Sequence, residues 1–212
     1  MPASRTDAVL AALQTFARQV KADAELGARI KAGPEDQLKN SVRALVMAVG
    51  ASLNRNVSIL SESPVEDVGR PDLAIAVDGL LVGYIELKAP GHGTTEQDFS
   101  DGDRGRNLLQ LKKFRNLPNL IYTDANDWTF YQRSDTDEKS VRKRSLDVRL
   151  GDLTQSGDRE ITGTEAGYLL EMIREFLQWE PIVPTNARAL AQQLAPLTRV
   201  LRTDVEEAVT EG

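Results

Sequence analysis

The chain has no cysteine anywhere in its 212 residues, which excludes disulfides and thiolate metal sites and fits a cytoplasmic setting. It has one histidine, His92, in a glycine-flanked loop. A one-metal, histidine-type nuclease site would need more local support than that loop shows. No apolar run approaches the roughly 20 residues of a membrane helix. The opening MPASRTDAVLAALQTFARQV is an amphipathic helix pattern interrupted by Arg18 and Lys21, not a signal peptide. There is no internal repeat and no low-complexity tract. The absence of a glycine-rich phosphate loop leaves an α/β protein that binds a small phosphorylated ligand as the least favoured reading.

A basic excess is missing too. The 26 basic and 32 acidic residues give a net charge of −6, which argues against nucleic-acid binding by bulk electrostatics. Two segments run the other way. Residues 104–115 carry five basic residues and no acidic one; residues 139–149 carry five basic residues and only Asp147 against them. Any DNA contact is therefore expected to be local and weak.

What is present suits one globular domain with a sizeable core: 41% hydrophobic and 27% charged residues. Residues 5–31 read as a helix through Val9, Leu13, Phe16 and Val20. Gly33-Pro34 breaks it and starts a second helix to about residue 50, opened by Glu35 and Asp36 and striped by Leu38, Val42, Leu45, Val46 and Val49. Strands are expected at 57–60, 73–77 and 81–88, with Asp78-Gly79 as a turn. Residues 91–105 read as a flexible loop, 104–116 as a helix, and 120–123 and 128–131 as strands. Residues 140–150 fit either a strand or an irregular basic segment. Helices are expected at 165–179 and 185–209. This order indicates an α/β core flanked by helices.

The segment RPDLAIAVDGLLVGYIELKAPG, residues 70–91, carries the chemistry. Strand alternation puts Glu86 and Lys88 on one face and Leu87 on the other. Leu73, Ile75 and Val77 share a large apolar face with Leu81, Ile85 and Leu87 as natural partners, leaving Asp72 opposite. Antiparallel partners share a face, so Asp72 can stand beside Glu86 only where paired numbers sum to an even value. A two-residue Asp78-Gly79 turn alone gives an odd sum. A three-residue loop over 78–80, or a bulge with the same effect, restores the even one. Adjacent carboxylates resist joint ionisation unless a cation lies between them. Their hard oxygens suit Mg²⁺ or Mn²⁺, not zinc. With Lys88 one pleat on, the set supplies what metal-assisted phosphodiester hydrolysis requires. The plain alternative is a strand that ends in ELK and an aspartate that caps a turn.

Pro71-Asp72 with Glu86-Leu87-Lys88 resembles the PD-(D/E)XK nuclease superfamily. Glu35 in PEDQLKNSV, Gln110 in NLLQLKKF and the strand pair NLIYTDANDWTFYQ match in the same order. The run over about residues 33–133 resembles the N-terminal nuclease domains of fused restriction-modification enzymes (type IIG and type ISP). The resemblance implies a restriction-endonuclease-like core, a mixed central sheet flanked by helices, with extra N- and C-terminal helices. Residues 1–180 would form the nuclease domain and 181–212 a helical extension or linker.

By matched position, Asp72, Glu86, the Leu87 carbonyl and Glu35 would hold Mg²⁺, with Mn²⁺ as a substitute. Lys88 would position or activate water, and Gln110 would orient the site or touch the DNA backbone. Phe114 stands where many relatives have a hydroxyl-bearing aromatic. Arg104, Arg106, Lys112 and Lys113 are candidate contacts to double-stranded DNA, with a solvated helix face as the alternative; Arg115 is a further one. Trp128 is a candidate for base stacking or for core, and Trp179 for packing.

The implied partners are DNA and a fused or associated adenine methyltransferase with its target-recognition region; no membrane is implied. The leading function is a cleavage module whose target choice is made elsewhere. The competing one is a catalytically silent binding or assembly module of the same fold. The apolar stripe of 185–209 either needs a partner, as in an excised domain, or packs on the chain's own core, as in a stand-alone nuclease.

Overall fold

The protein is described by a computed structural model over residues 4–30, 34–61, 65, 67–99, 104–134, 136–179 and 198. Helices α1 (Arg5–Ile30) and α2 (Pro34–Ser52) lead into strands β1 (Val57–Ser61), β2 (Leu73–Val77) and β3 (Leu80–Leu87). Helix α3 (Arg104–Phe114) precedes β4 (Asn119–Thr123) and β5 (Asp127–Gln132). The chain continues through β6 (Val141–Arg142), a 3-10 turn (Arg144–Leu146), β7 (Val148–Arg149), α4 (Leu153–Ser156) and α5 (Gly163–Leu177).

The expected stripes bury as their spacing dictates. Val9, Leu13, Phe16 and Val20 of α1, and Leu38, Val42, Leu45, Val46 and Val49 of α2, are all in the core. A reciprocal capping box starts α5: Thr162 Oγ1 accepts from the Thr164 amide, and Glu165 Oε2 accepts from the Thr162 amide.

The strands form one mixed sheet in the order β1-β2-β3-β4-β5-β6, with β7 also on β5. Among the described residues only β3 and β4 run parallel, and α3 makes the crossover that a parallel pair requires. Helices cover both faces. On one, α1, α2 and α5 close over Leu73, Ile75, Ile85, Leu87, Ile121 and Phe130. On the other, Leu111 and Phe114 of α3 pack with Tyr84, Leu120, Tyr122 and Tyr131. The mixed α/β architecture expected from the sequence is observed, and it is consistent with a restriction-endonuclease-like core.

Residues 140–150 resolve into two short strands around a 3-10 turn on the edge of β5. Apart from Thr198, the helix expected at 185–209 lies outside the described residues. Among the described residues, no helix is long and apolar enough to cross a membrane.

The β2–β3 hairpin reaches its even register by the bulge. Asp78 and Gly79 both take positive φ, 51° and 79°, the geometry of a two-residue I′ turn. Val77 accordingly pairs with Leu80, an odd sum. The register then shifts between Ile75 and Ala76, leaving Val82 unmatched, and Ile75 pairs with Gly83 and Leu73 with Ile85. The shift corrects one expectation. Val82, not Leu81, joins the large apolar face, while Leu81 packs at the margin of the α3 side.

Gly83 is fixed by close approach. A Cβ there would meet the Phe176 ring at 2.6 Å and the Asn119 carbonyl at 2.7 Å. Neither a core ring nor a strand backbone yields cheaply. Gly83→Ala is expected to cost about 3 kcal/mol, read as a lower urea midpoint at unchanged m-value. An unchanged midpoint would mean that the α5–sheet interface tolerates the methyl.

Candidate active site at the end of the β2–β3 hairpin

One step back from Leu73↔Ile85, the restored register sets Asp72 opposite Glu86. The two touch: the Asp72 amide donates to Glu86 Oε2 at 3.3 Å, and the Leu87 amide donates to Asp72 Oδ2 at 2.9 Å. Lys88 folds back so that Nζ donates to Glu86 Oε1 at 2.8 Å and to Gln110 Oε1 at 2.8 Å. Gln110 Nε2 closes the triangle on Glu86 Oε1 at 2.8 Å. Helix α3 thus delivers Gln110 from one face of the sheet. From the other, α2 delivers Lys39, whose Nζ lies 3.2 Å from Asp72 Oδ1.

The cluster is nearly dry: Glu86 and Lys88 side chains are each 4% exposed. Burial pushes the Glu86 carboxyl up to about 7; the Lys88 ammonium opposes the rise and the Asp72 charge adds to it. An unfolded chain loses that proton near 4.5. Between those values the folded state holds the extra proton, so this group's contribution to stability falls as pH rises from about 4.5 to about 7. In EDTA, wild type is expected to lose melting temperature relative to Glu86→Gln across that window, by the equivalent of at most about 3 kcal/mol. A wild-type-minus-variant difference that stays flat from pH 4.5 to 8 would contradict the assignment.

Tyr122 pairs across from Glu86 in the parallel register, and its ring lies 5.9 Å from Lys88 Nζ. Its hydroxyl is buried with no hydrogen-bond partner among the described residues. Burial first, and then the Glu86 charge, hold its acidity well below that of an ordinary tyrosine. Phe114 packs against the same ring, 6.4 Å between centroids, so its missing hydroxyl leaves an apolar wall beside the site.

Of the sequence candidates, Asp72, Glu86, Leu87, Lys88 and Gln110 converge. Glu35 falls in the first turn of α2 and Arg104 at the start of α3, but the side chains of both lie outside the described residues. Arg106, Lys112 and Lys113 are exposed on α3. Arg115 is committed to structure instead, donating to the Ser140 carbonyl at 2.8 Å and to Glu96 at 2.6 Å. Trp128 is fully buried on the large apolar face, which excludes it from base stacking. Phe130 is likewise core, and Trp179 packs against it. His92 is exposed, one loop away.

The loop after β3 is held more firmly than its composition suggests. Buried Asp124, just after β4, accepts from the Gly91 and Gly93 amides at 3.1 and 2.9 Å. Asp98 accepts from the Thr94 and Thr95 amides, and Phe99 is fully buried. The expectation of a flexible loop is corrected for residues 91–99. Lys39 and Asp124 were not singled out from the sequence. Lys39 sits one helical turn after Glu35, a spacing that could have flagged it.

No family model matches the chain, and no curated protein matches it in sequence. Among solved structures, a cryo-EM structure of a DrdV–DNA complex is similar at 17% identity and a TM-score of 0.49. The match covers 81% of this chain and 14% of that one, so the chain spans a small part of that protein's length.

Proposed function

We propose that the chain is a metal-dependent DNA endonuclease, the cleavage module of a restriction-modification enzyme whose target choice is made elsewhere. The observation that carries this reading is the meeting of Asp72, Glu86, Lys88 and Gln110 at one dry strand end. Residues 1–180 would be the catalytic domain and 181–212 an extension or linker.

Among the described residues, no three His, Cys, Asp or Glu side chains group to hold a metal. The donor set nevertheless suits a hard dication once backbone is counted: carboxylate oxygens of Asp72 and Glu86, with the Leu87 carbonyl between them in the chain. Burial first, and then the Asp72 charge, raise the Glu86 pKa, and a cation between the two carboxylates would offset both. Glu35 would add a fourth ligand. Bound there, Mg²⁺ or Mn²⁺ would supply Lewis acidity and a more acidic water. Lys88 would hold that water against the scissile phosphate and neutralise charge as the new P–O bond forms and the sugar–oxygen bond to phosphorus breaks. Gln110 keeps Lys88 and Glu86 in register. Arg106, Lys112 and Lys113 present exposed charge on α3 for the phosphate backbone, enough for a local contact on an acidic protein.

The burial of the Glu86–Lys88 pair, 4% exposed on both sides, supports a second reading: a catalytically silent member of the fold used for binding or assembly, its ion pair purely structural. Supercoiled plasmid incubated with the full chain in Mg²⁺ and in EDTA separates the two. Nicking that requires Mg²⁺ is expected. No nicking, together with no calorimetric binding of Mg²⁺ or Mn²⁺, would favour the silent module.

A further inference from the structure

The roles assigned so far leave Lys39 unexplained. Its Nζ is 3.2 Å from Asp72 Oδ1, with the two side chains 17% and 20% exposed. The other Asp72 oxygen is engaged by the Leu87 amide, and Glu86 Oε1 is shared by Lys88 and Gln110. Among the described side chains, two carboxylates therefore face two ammonium groups and balance them. A dication added to that arrangement would leave an excess of positive charge in a poorly hydrated place, even with Glu35 as a ligand, which is costly. One ammonium must give way. Lys88 is only 4% exposed. Lys39 is the more exposed of the pair, on a flexible stem at the helix surface, and is the one that can move into water.

We propose that Lys39 is a resident counter-ion of Asp72, which a divalent cation must displace, so that Lys39 sets the cation affinity of the site. It is a positioning residue: it holds the Asp72 carboxylate in place until the cation arrives. The inference rests on the metal-site reading above.

Calorimetric titration of Mn²⁺ into the full chain tests it, with wild type beside Lys39→Met and Lys39→Arg. Removing a competing charge should tighten binding roughly tenfold in Lys39→Met, while Lys39→Arg should stay close to wild type. In EDTA, Lys39→Met should melt below wild type, because Asp72 then faces Glu86 uncompensated, and saturating Mn²⁺ should close that gap. Should Lys39→Met fail to fold, Lys39→Gln titrated in the same way carries the same expectation. Equal or weaker Mn²⁺ binding in the uncharged variant overturns the inference and leaves the metal site standing. No binding in wild type overturns both.

Discussion

Lys88→Ala is expected to slow Mg²⁺-dependent plasmid nicking at least about 100-fold, the scale of losing one preorganised charge or proton-transfer group beside a reacting centre. The size follows from where the ammonium sits. It is 4% exposed and fixed by Glu86 and Gln110, so no solvent reorganisation is needed when charge develops on the phosphate. Loss of the ammonium also removes the largest of the influences that lower the Glu86 pKa against its burial-driven rise. The variant should therefore hold the Glu86 proton to higher pH. Two controls separate chemistry from folding and binding. The variant should melt cooperatively, and gel shifts with plasmid fragments in Ca²⁺ should show DNA retained within a few-fold of wild type. Wild-type cutting by Lys88→Ala and by Asp72→Ala would end the nuclease reading, whatever the fold.

The central pair was legible because strand parity is a strict constraint. An Asp-Gly turn and the need to bury Leu73, Ile75 and Val77 together leave only an even register further down the hairpin. Parity cannot say where the extra residue goes. The structure places it at Val82, next to Gly83, where Phe176 and the Asn119 backbone come so close that no side chain fits. That crowding comes from residues more than thirty positions away, beyond any local pattern. The basic segments misled for a similar reason. Arg115 and Arg142 both fall in the basic segments, yet Arg115 ties Glu96 to Ser140, and Arg142 pairs with Asp147 at 2.6 Å. Lys112 and Lys113, indistinguishable from them by composition, stay exposed. Whether a cation is structural or available depends on a partner that folding brings in, and the sequence carries no mark of that partner.

The second large effect is expected at Asp124. It is 1% exposed, and its two oxygens serve two different segments. Oδ2 accepts from the Gly91 and Gly93 amides; Oδ1 accepts from the Asn126 and Asp127 amides at 3.1 and 2.8 Å, shaping the turn into β5. Asp124→Ala removes the acceptor of four part-buried hydrogen bonds, and a cost of about 2–3 kcal/mol is expected, since an unsatisfied donor costs on the order of 1–3 kcal/mol and several of these will find water. Hydrogen exchange should resolve it by site. The Gly91 and Gly93 amides should lose protection first, because their loop leads directly from Lys88 through Ala89 and Pro90. Asp124→Asn keeps one carbonyl oxygen and should rescue one segment only. If it serves the turn, the loop alone opens, and the chain just beyond Lys88 loses its anchor on Asp124. Cleavage should fall in that variant by more than stability does, while gel shifts stay close to wild type. Wild-type protection at Gly91 and Gly93 in Asp124→Ala would show that the loop is held by Asp98 and Phe99 alone.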